Sequence, residues 1–266
     1  RPLRDVAPLG VPPSASFGVP APQNDVEAGQ VLLLFKDLPS SQQVLNTLAG
    51  EQFQPIATTQ LPTLGWSLAL FQFATAAIAN QQLAQWQVRF PQAVVDYNYL
   101  YQAQSEDSGR EYALSMLDLP QRNGVANTSS ASTYQGLSAT RVGMLDTHVE
   151  PTAWLRDVTL TTMPFASTPL AGQVDRLAHP AHGTAIASLM ARVAPTIQLF
   201  AAAVMATRND QTVATTYRLV QGVDWLLEKR VQVINMSMSG RYDKNFATTI
   251  TELMHRGVLV TAAAGN

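Results

Sequence analysis

The chain has 266 residues, of which 46% are hydrophobic, and its formal net charge is −2. This length suits one large domain or two ordinary ones. The near-neutral charge, with no cluster of Lys and Arg, argues against a nucleic-acid-binding surface. The absence of cysteine excludes a disulfide framework, a thiolate nucleophile and a Cys-ligated zinc site. No apolar run is long enough to span a membrane, so we expect no membrane span.

The first segment, residues 1–28, holds six prolines and no apolar periodicity. We predict an extended tether without secondary structure. No apolar signal core follows Arg1, and we expect that a targeting segment has already been removed. Together with the absence of cysteine, this favours a secreted or periplasmic protein exported by a bacterium.

Residues 29–101 predict a small βαββαβ unit, a split-βαβ sandwich. The second helix is the clearest element, since Ala79, Leu83, Trp86 and Phe90 fall on one face and Pro91 ends it. The other elements are strands at 31–35, 53–58, 66–73 and 93–97 and a helix opening at 39–41. The following residues, 102–138, are rich in Ser, Asn, Gln and Gly, which predicts a linker with one helical turn at 112–117.

From residue 139 onward strands alternate with helices, which predicts an α/β domain with a parallel sheet. Asp210 is the expected N-cap of a helix with a buried stripe through Tyr217 and Leu227. Gly257 is in the position that a C-cap glycine prefers. Four further strands are predicted, at 142–145, 197–204, 231–235 and 258–263, the last of them buried.

Three residues of this region form a candidate catalytic set. Asp146 ends a predicted strand, His182 starts a predicted helix, and Asn266 follows the last predicted strand. Catalytic groups of open parallel sheets gather at the carboxyl ends of the strands. We therefore expect these side chains to converge at one edge of the sheet.

These segments resemble the subtilases, a family of serine proteases. The match runs in order through Asp146, the His-Gly-Thr segment at 182–184, Val193-Ala194-Pro195, the segment 222–225, the Asn-Met-Ser-Met-Ser-Gly segment at 235–240 and the final 258–266. Residues 29–101 are similar to the inhibitory pro-domain of that family. The resemblance implies a subtilisin-like catalytic domain over 139–266 that acts on protein or peptide substrates without a cofactor.

The resemblance also assigns roles to residues. It implies that His182 is the general base, that Asp146 orients the imidazole, and that Asn266 donates its side-chain amide to the oxyanion. It further implies that Ser237, Met238, Ser239 and Gly240 bind the substrate backbone as an added β-strand. By position, residues 99–104 are the expected tail by which the pro-domain inhibits the cleft.

The chain departs from the family pattern at three places. The only serines after His182 are Ser188, Ser237 and Ser239, none of which follows a Gly-Thr pair. We therefore expect the nucleophilic serine on a separate or missing C-terminal segment, and the chain alone to be inactive. His148 replaces the usual glycine two residues after the acid, which predicts a different turn. The Asn-rich insertion of the family's best-known calcium loop is absent, so we expect no calcium there.

Two other functions remain open at this point. A pseudoprotease would use the same fold to bind peptides, with the pro-domain as a permanent plug. A metal hydrolase is the other alternative, because His148 and His179 could join His182 and Asp146 as ligands. The spacing of His179 and His182 is not a helical i, i+4 pair, which argues against the metal site.

Overall fold

The computed structural model describes residues 25–103, 140–165, 176–208 and 211–263. Its helices are α1 (Leu38–Gly50), α2 (Ala76–Arg89), α3 (Ala181–Val193), α4 (Thr216–Glu228) and α5 (Lys244–His255). Its strands are β1 (Val26–Phe35), β2 (Ala57–Leu61), β3 (Trp66–Gln72), β4 (Ala93–Ala103), β5 (Arg141–Asp146), β6 (Thr159–Pro164), β7 (Arg176–Leu177), β8 (Gln198–Ala203), β9 (Ala206–Arg208), β10 (Gln211–Thr215), β11 (Val233–Met236), β12 (Met238–Ser239) and β13 (Leu259–Ala262). Residues 1–24 of the predicted tether (1–28), most of the predicted linker with its helical turn at 112–117, and Asn266 lie outside the described residues. The end of the predicted tether was wrong, because β1 already begins at Val26.

The N-terminal unit has the predicted βαββαβ order, and its four strands form an antiparallel sheet in the order β2-β3-β1-β4. Strand β1 is buried on both faces. Val31, Leu33 and Phe35 join the core that includes residues of α1 and α2, while Leu32 and Leu34 join the core shared with α4 and α5. A strand buried on both faces loses the apolar-polar alternation, which explains the continuous apolar run.

The helix boundaries in this unit follow from local chemistry. Asp37 caps α1, because its carboxylate accepts a hydrogen bond from the Ser40 amide at 2.7 Å. Thr75 caps α2 through the amide of Ile78. The second strand was predicted at 53–58, but β2 begins only at Ala57. Phe53 lies before this strand, and its ring packs against that of Trp86 with 5.4 Å between the ring centroids.

The second half of the chain contains the predicted parallel sheet, with strand order β13-β11-β5-β8-β6. The apolar residues of α4 pack on one side of this sheet, and α3 contributes Ala187 and Ala191 to a separate core on the other side. The expectation that β13 is buried was wrong. Leu259 is 61% exposed, because β13 pairs only with β11 and forms an edge of this sheet within the described residues.

The predicted start of α4 was also wrong. The helix begins at Thr216, where the Thr215 hydroxyl accepts from the Arg218 amide, and residues 211–215 form β10 instead. Asp210 lies outside the described residues. The pairing of β10 with β4 joins segments more than 100 residues apart, so a local cap signal does not report it. The predicted buried stripe, including Tyr217 and Leu227, is confirmed.

Strand β4 joins the two halves of the chain. It extends past its predicted end at Tyr97 to Ala103 and pairs with both β10 and β12. Its polar side chains also meet two helix starts: Asn98 accepts from the Tyr217 amide at 3.0 Å, and Asp96 accepts from the Lys244 amide at 2.9 Å. These contacts satisfy backbone donors that a helix leaves unpaired in its first turn. Among the described residues, no helix is long and apolar enough to cross a membrane.

Candidate active site and peptide cleft

Asp146 and His182 come together at the carboxyl end of β5. The Asp146 Oδ1 atom lies 2.7 Å from the Nδ1 atom of His182, the second residue of α3. A carboxylate can only accept, so Nδ1 donates and the proton of the neutral ring is held on that nitrogen. The Asp146 side chain is 1% exposed and that of His182 is 13% exposed. This arrangement leaves Nε2 as the nitrogen that can exchange a proton with another group.

The surroundings of Asp146 hold the carboxylate in place. Its Oδ1 atom also accepts from the Thr147 amide at 2.6 Å, and its backbone carbonyl accepts from the Val204 amide at 2.9 Å. The end of β5 is therefore fastened to the end of β8. Within the described residues, the buried Oδ2 atom has no hydrogen-bonding partner, so this oxygen can still accept a hydrogen bond.

The residues after His182 fix the position of its helix, a role that sequence reasoning missed. The Gly183 amide donates to the Thr147 hydroxyl at 2.8 Å, and the Glu150 amide donates to the Thr184 hydroxyl at 3.0 Å. A Cβ atom on Gly183 would lie 2.6 Å from the Thr147 carbonyl oxygen. The only signal for this close approach was the glycine in the His-Gly-Thr segment. A glycine is needed at residue 183 because the first turn of α3 is in close contact with the turn that follows Asp146.

The other histidines do not join this pair as metal ligands. His148 is not among the described non-glycine residues with a left-handed backbone, which are Gln52 and Arg230, so the turn after the acid does not need a positive φ at this residue. The His179 Nδ1 atom accepts from the Ala181 amide at 3.3 Å, beside the start of α3. No group of three His, Asp or Glu side chains in the described part of the chain could hold a metal ion.

The predicted substrate residues lie beside the predicted tail. Met238 pairs with Ala103 and Ser239 with Gln102, in antiparallel register. On its other side the tail pairs with β10, where Val213 lies opposite Gln102. The tail therefore occupies a cleft between two strands, as an added β-strand does. Ser237 lies just before β12 and accepts from the Asn235 amide side chain at 2.9 Å, and residue 104 of the predicted tail lies outside the described residues.

The side chain of Tyr101, a residue that the sequence analysis did not single out, fills a pocket in this cleft. It is 7% exposed, and its ring lies 5.3 Å from that of Phe246 in an edge-on arrangement. A Cβ atom on Gly240 would lie 2.5 Å from the Tyr101 ring, so a glycine is needed at this position for the ring to fit. The Tyr101 hydroxyl lies 3.4 Å from Asp243 Oδ2.

Buried carboxylates give this region its electrostatic character. Burial raises the pKa of Asp243 to about 7, and the nearby charge of Asp96 acts in the same direction. Burial also raises the pKa of Asp96, against the hydrogen bonds that it accepts from the backbone. The pKa of Tyr101 is raised by burial and by the Asp243 charge, so its hydroxyl stays protonated and remains a donor.

Comparisons with known proteins concern the family and the fold of the chain. Residues 138–266 match the model of the Subtilase family. No curated protein matches the chain in sequence. Fervidolysin from Fervidobacterium pennivorans, a keratinolytic enzyme related to subtilisin, has a similar structure, with a TM-score of 0.63 and 15% identity. The comparison covers 92% of this chain and 41% of fervidolysin.

A second similar structure is a mutant of the epidermin leader peptide processing serine protease from Staphylococcus aureus. Its TM-score is 0.57 at 12% identity, over 90% of this chain and 61% of that protein. At these identities the structural likeness concerns the fold alone, and the chain spans less than two thirds of either protein. The family match and the shared fold lead to one conclusion. Residues 138–266, just under half of the chain, are similar to the subtilase family.

Proposed function

We propose that the chain carries the inhibitory pro-domain and the front part of the catalytic domain of a subtilisin-like serine endopeptidase. The observation that carries this proposal is the 2.7 Å contact between Asp146 and His182 at the end of a parallel strand. The subtilase match of residues 138–266 supports a serine protease relationship. In this proposal residues 29–101 are the pro-domain, 102–138 a linker and 139–266 the catalytic part.

The proposed reaction uses His182 as the general base. Its Nε2 atom would take the proton of a serine hydroxyl as the serine oxygen attacks the scissile carbonyl carbon, and would later return that proton to the leaving amine. Asp146 would hold the ring with Nδ1 protonated and stabilise the imidazolium that forms. We propose that the serine lies on a segment beyond Asn266 or on a separate chain. The present 266 residues alone would then be inactive, because the nucleophile is indispensable.

Asn266 is proposed as the donor to the oxyanion of the tetrahedral intermediate. Removing one such donor costs about 10²–10³ in turnover, a figure that comes from a subtilisin, a member of this same family. The proposal for Asn266 has its support in the sequence match alone, since the residue follows β13 beyond the described part of the chain.

The substrate would bind where the tail now lies. Backbone pairing with β10 and β12 provides affinity that does not depend on the substrate sequence, and pockets for alternate side chains provide selectivity. Export from a bacterial cell to the periplasm or the medium remains part of the proposal, on the grounds of the subtilase relationship and the cysteine-free composition.

A serine-directed probe tests the proposed function. The chain would be produced with its downstream reading frame, where a Gly-Thr-Ser-x-Ala segment is expected, and treated with a fluorophosphonate. We expect covalent labelling of that serine once the tail has been released, and loss of labelling in the His182→Ala variant. A folded, tail-free protein that resists the probe would contradict the proposal.

A pseudoprotease that binds peptides is the second candidate. The specific observation in its favour is that the tail pairs with β10 on one side and with β12 on the other, although it is still part of the same continuous chain. The two candidates differ in the same experiment, because a pseudoprotease would bind a peptide with the sequence of residues 99–104 without acquiring the label.

A further inference from the structure

The pocket that holds Tyr101 is closed around an aromatic ring. The ring contacts Phe246 edge-on, and Gly240 leaves no room for a side chain between the ring and the backbone. Apolar contacts of this kind accept phenylalanine and tyrosine alike, since both have the same ring. The difference between them must come from the groups around the hydroxyl.

The Tyr101 hydroxyl faces two acceptors. Asp243 Oδ2 and the carbonyl oxygen of Arg241 each lie 3.4 Å from it. Because neither group offers a hydrogen to this oxygen when Asp243 is ionised, the hydroxyl serves as the donor. A phenylalanine in the same place would remove one donor from a buried carboxylate. This loss raises the free energy of the arrangement in which phenylalanine occupies the pocket.

The Asp243 carboxylate is held rigidly for this contact. Its Oδ1 atom accepts from the amides of Asn245 and Phe246 at 2.8 and 3.1 Å, as the N-cap of α5. Its Oδ2 atom accepts from the Thr216 hydroxyl at 2.5 Å, and the residue is 2% exposed. The carboxylate therefore cannot turn away from the pocket without breaking the cap.

We propose that Asp243 is a specificity-determining residue of the cleft, which selects peptides with tyrosine over phenylalanine at the position that Tyr101 occupies. The inference rests on the proposed function and narrows its substrate class to peptides with a tyrosine at one position. That position is two residues before the peptide residue that pairs with Met238, as Tyr101 is two residues before Ala103. A site that hydrogen-bonds a hydroxyl discriminates against the analogue that lacks it more strongly than an apolar pocket does.

The full chain offers a test, because its own tail is the ligand. Native-state hydrogen exchange at the amides of residues 101–103 measures how often the tail leaves β10 and β12. At pH 8, above the pKa of about 7 that burial gives Asp243, we expect Tyr101→Phe to speed their exchange about 10-fold, a value at the lower end for a hydrogen bond to a charged group because the contact is long. Amides of β8, in the core of the parallel sheet, serve as the reference for global unfolding.

The same substitution in an Asp243→Ser background isolates the contact. Serine is also a good N-cap, so α5 keeps its start, but its side chain is too short to reach the phenol. We expect Tyr101→Phe to change the exchange of residues 101–103 by less than about 2-fold in this background, since no carboxylate is left to lose a donor. Should the Ser variant not fold, Asp243→Asn, which also caps, replaces it, and the Tyr101→Phe effect is expected to shrink at least threefold.

A matched control comes from Tyr97→Phe. The Tyr97 hydroxyl donates to the Asn80 side chain at 2.9 Å, away from the cleft, so its removal should leave residues 101–103 unchanged. The proposal is overturned if Tyr101→Phe has no effect with Asp243 present, or if a 10-fold effect persists after Asp243 is replaced. A purely structural role of Asp243 as N-cap would alter the exchange of α5 amides and leave the Tyr-to-Phe difference intact.

This outcome is separate from that of the proposed function. The exchange experiment reads only the fit of the tail in the cleft, and the fluorophosphonate experiment reads only the nucleophile. A peptide-binding pseudoprotease would still show the coupling between Tyr101 and Asp243. A working endopeptidase without it would still acquire the label.

Discussion

Asp96 and Asp243, from the two halves of the chain, accept hydrogen bonds from consecutive amides at the start of α5: Asp96 from Lys244 at 2.9 Å and Asp243 from Asn245 at 2.8 Å. The helix N-terminus favours negative charge, yet two buried carboxylates at one helix start repel each other. Lys244 is the cation of this site, and Tyr99 and Tyr101 of β4 face the same two acids. The junction between the halves should therefore respond to pH.

The first prediction concerns that response. Burial raises the pKa of Asp243 to about 7 from an ordinary value near 4, so the protonated form is favoured in the folded state. Its contribution to the free energy of unfolding is fully present below about pH 4 and is lost as pH rises toward 7. We expect Asp243→Asn to reduce the fall in unfolding free energy between pH 5 and pH 8 by about 2 kcal/mol, measured by urea denaturation.

Asp37→Asn is the matched control, because Asp37 is also a helix N-cap but is exposed. The pH dependence of this variant should follow that of the unchanged chain. An Asp243→Asn variant with the same pH profile as the parent would show that the buried acid does not titrate in this range.

The second prediction concerns Gly183. In Gly183→Ala the new Cβ atom would lie 2.6 Å from the Thr147 carbonyl oxygen, and backbone on both sides would have to move. We expect a loss of roughly 1–3 kcal/mol in unfolding free energy, as for other overpacked sites. Gly50→Ala at the end of α1 is the control, since a Cβ atom there meets nothing within 4 Å. It should be neutral or stabilising by up to about 1 kcal/mol, and equal effects at both sites would refute the packing argument.

The third prediction concerns the contact between the loop at residues 62–65 and α4. Asp224 Oδ1 accepts from the buried Leu64 amide at 2.8 Å. In Asp224→Ala that amide loses its partner, which should lower the unfolding free energy by about 1–3 kcal/mol and speed exchange at Leu64. Glu228→Ala, an exposed carboxylate in the same helix, should cost less than about 1 kcal/mol. Unchanged protection of Leu64 in Asp224→Ala would contradict the assignment.

The fourth prediction concerns catalysis in the protein completed with its serine. Asp146→Asn should lower turnover by about 10⁴, because the amide favours the wrong tautomer of His182; loss of the triad aspartate in a subtilisin costs about 3 × 10⁴. The exposed Glu150→Gln should leave turnover within a few-fold. A small effect of Asp146→Asn on the peptide-hydrolysis rate would exclude the proposed role.

Most of the elements of the fold follow from short-range patterns. The stripe through Ala79, Leu83 and Trp86 predicted α2, and alternating strands and helices predicted the parallel sheet, because each signal repeats within a few residues. The pairing of Asp146 with His182 was implied by the resemblance to the subtilases, and the position of Asp146 also followed from the rule that catalytic groups gather at the carboxyl ends of parallel strands.

The parts that were missed depend on contacts between distant segments. The extension of β4 to Ala103 and the existence of β10 are products of their mutual pairing, so neither is visible in its own residues. The pocket of Tyr101 combines β4 with residues about 140 positions later. Burial of Asp243 likewise arises from the docking of the two halves, and a local sequence shows only a helix N-cap.

Because the tail that lies between β10 and β12 is part of the same chain, any peptide that enters the cleft competes with a tethered ligand. A tethered ligand has an effective concentration that its covalent connection sets, and this value does not fall when the protein is diluted. Once the connection is cut, the same tail leaves by simple dissociation and its occupancy depends on dilution. The covalent bond between the halves thus decides whether the cleft is closed at every protein concentration or only at high ones.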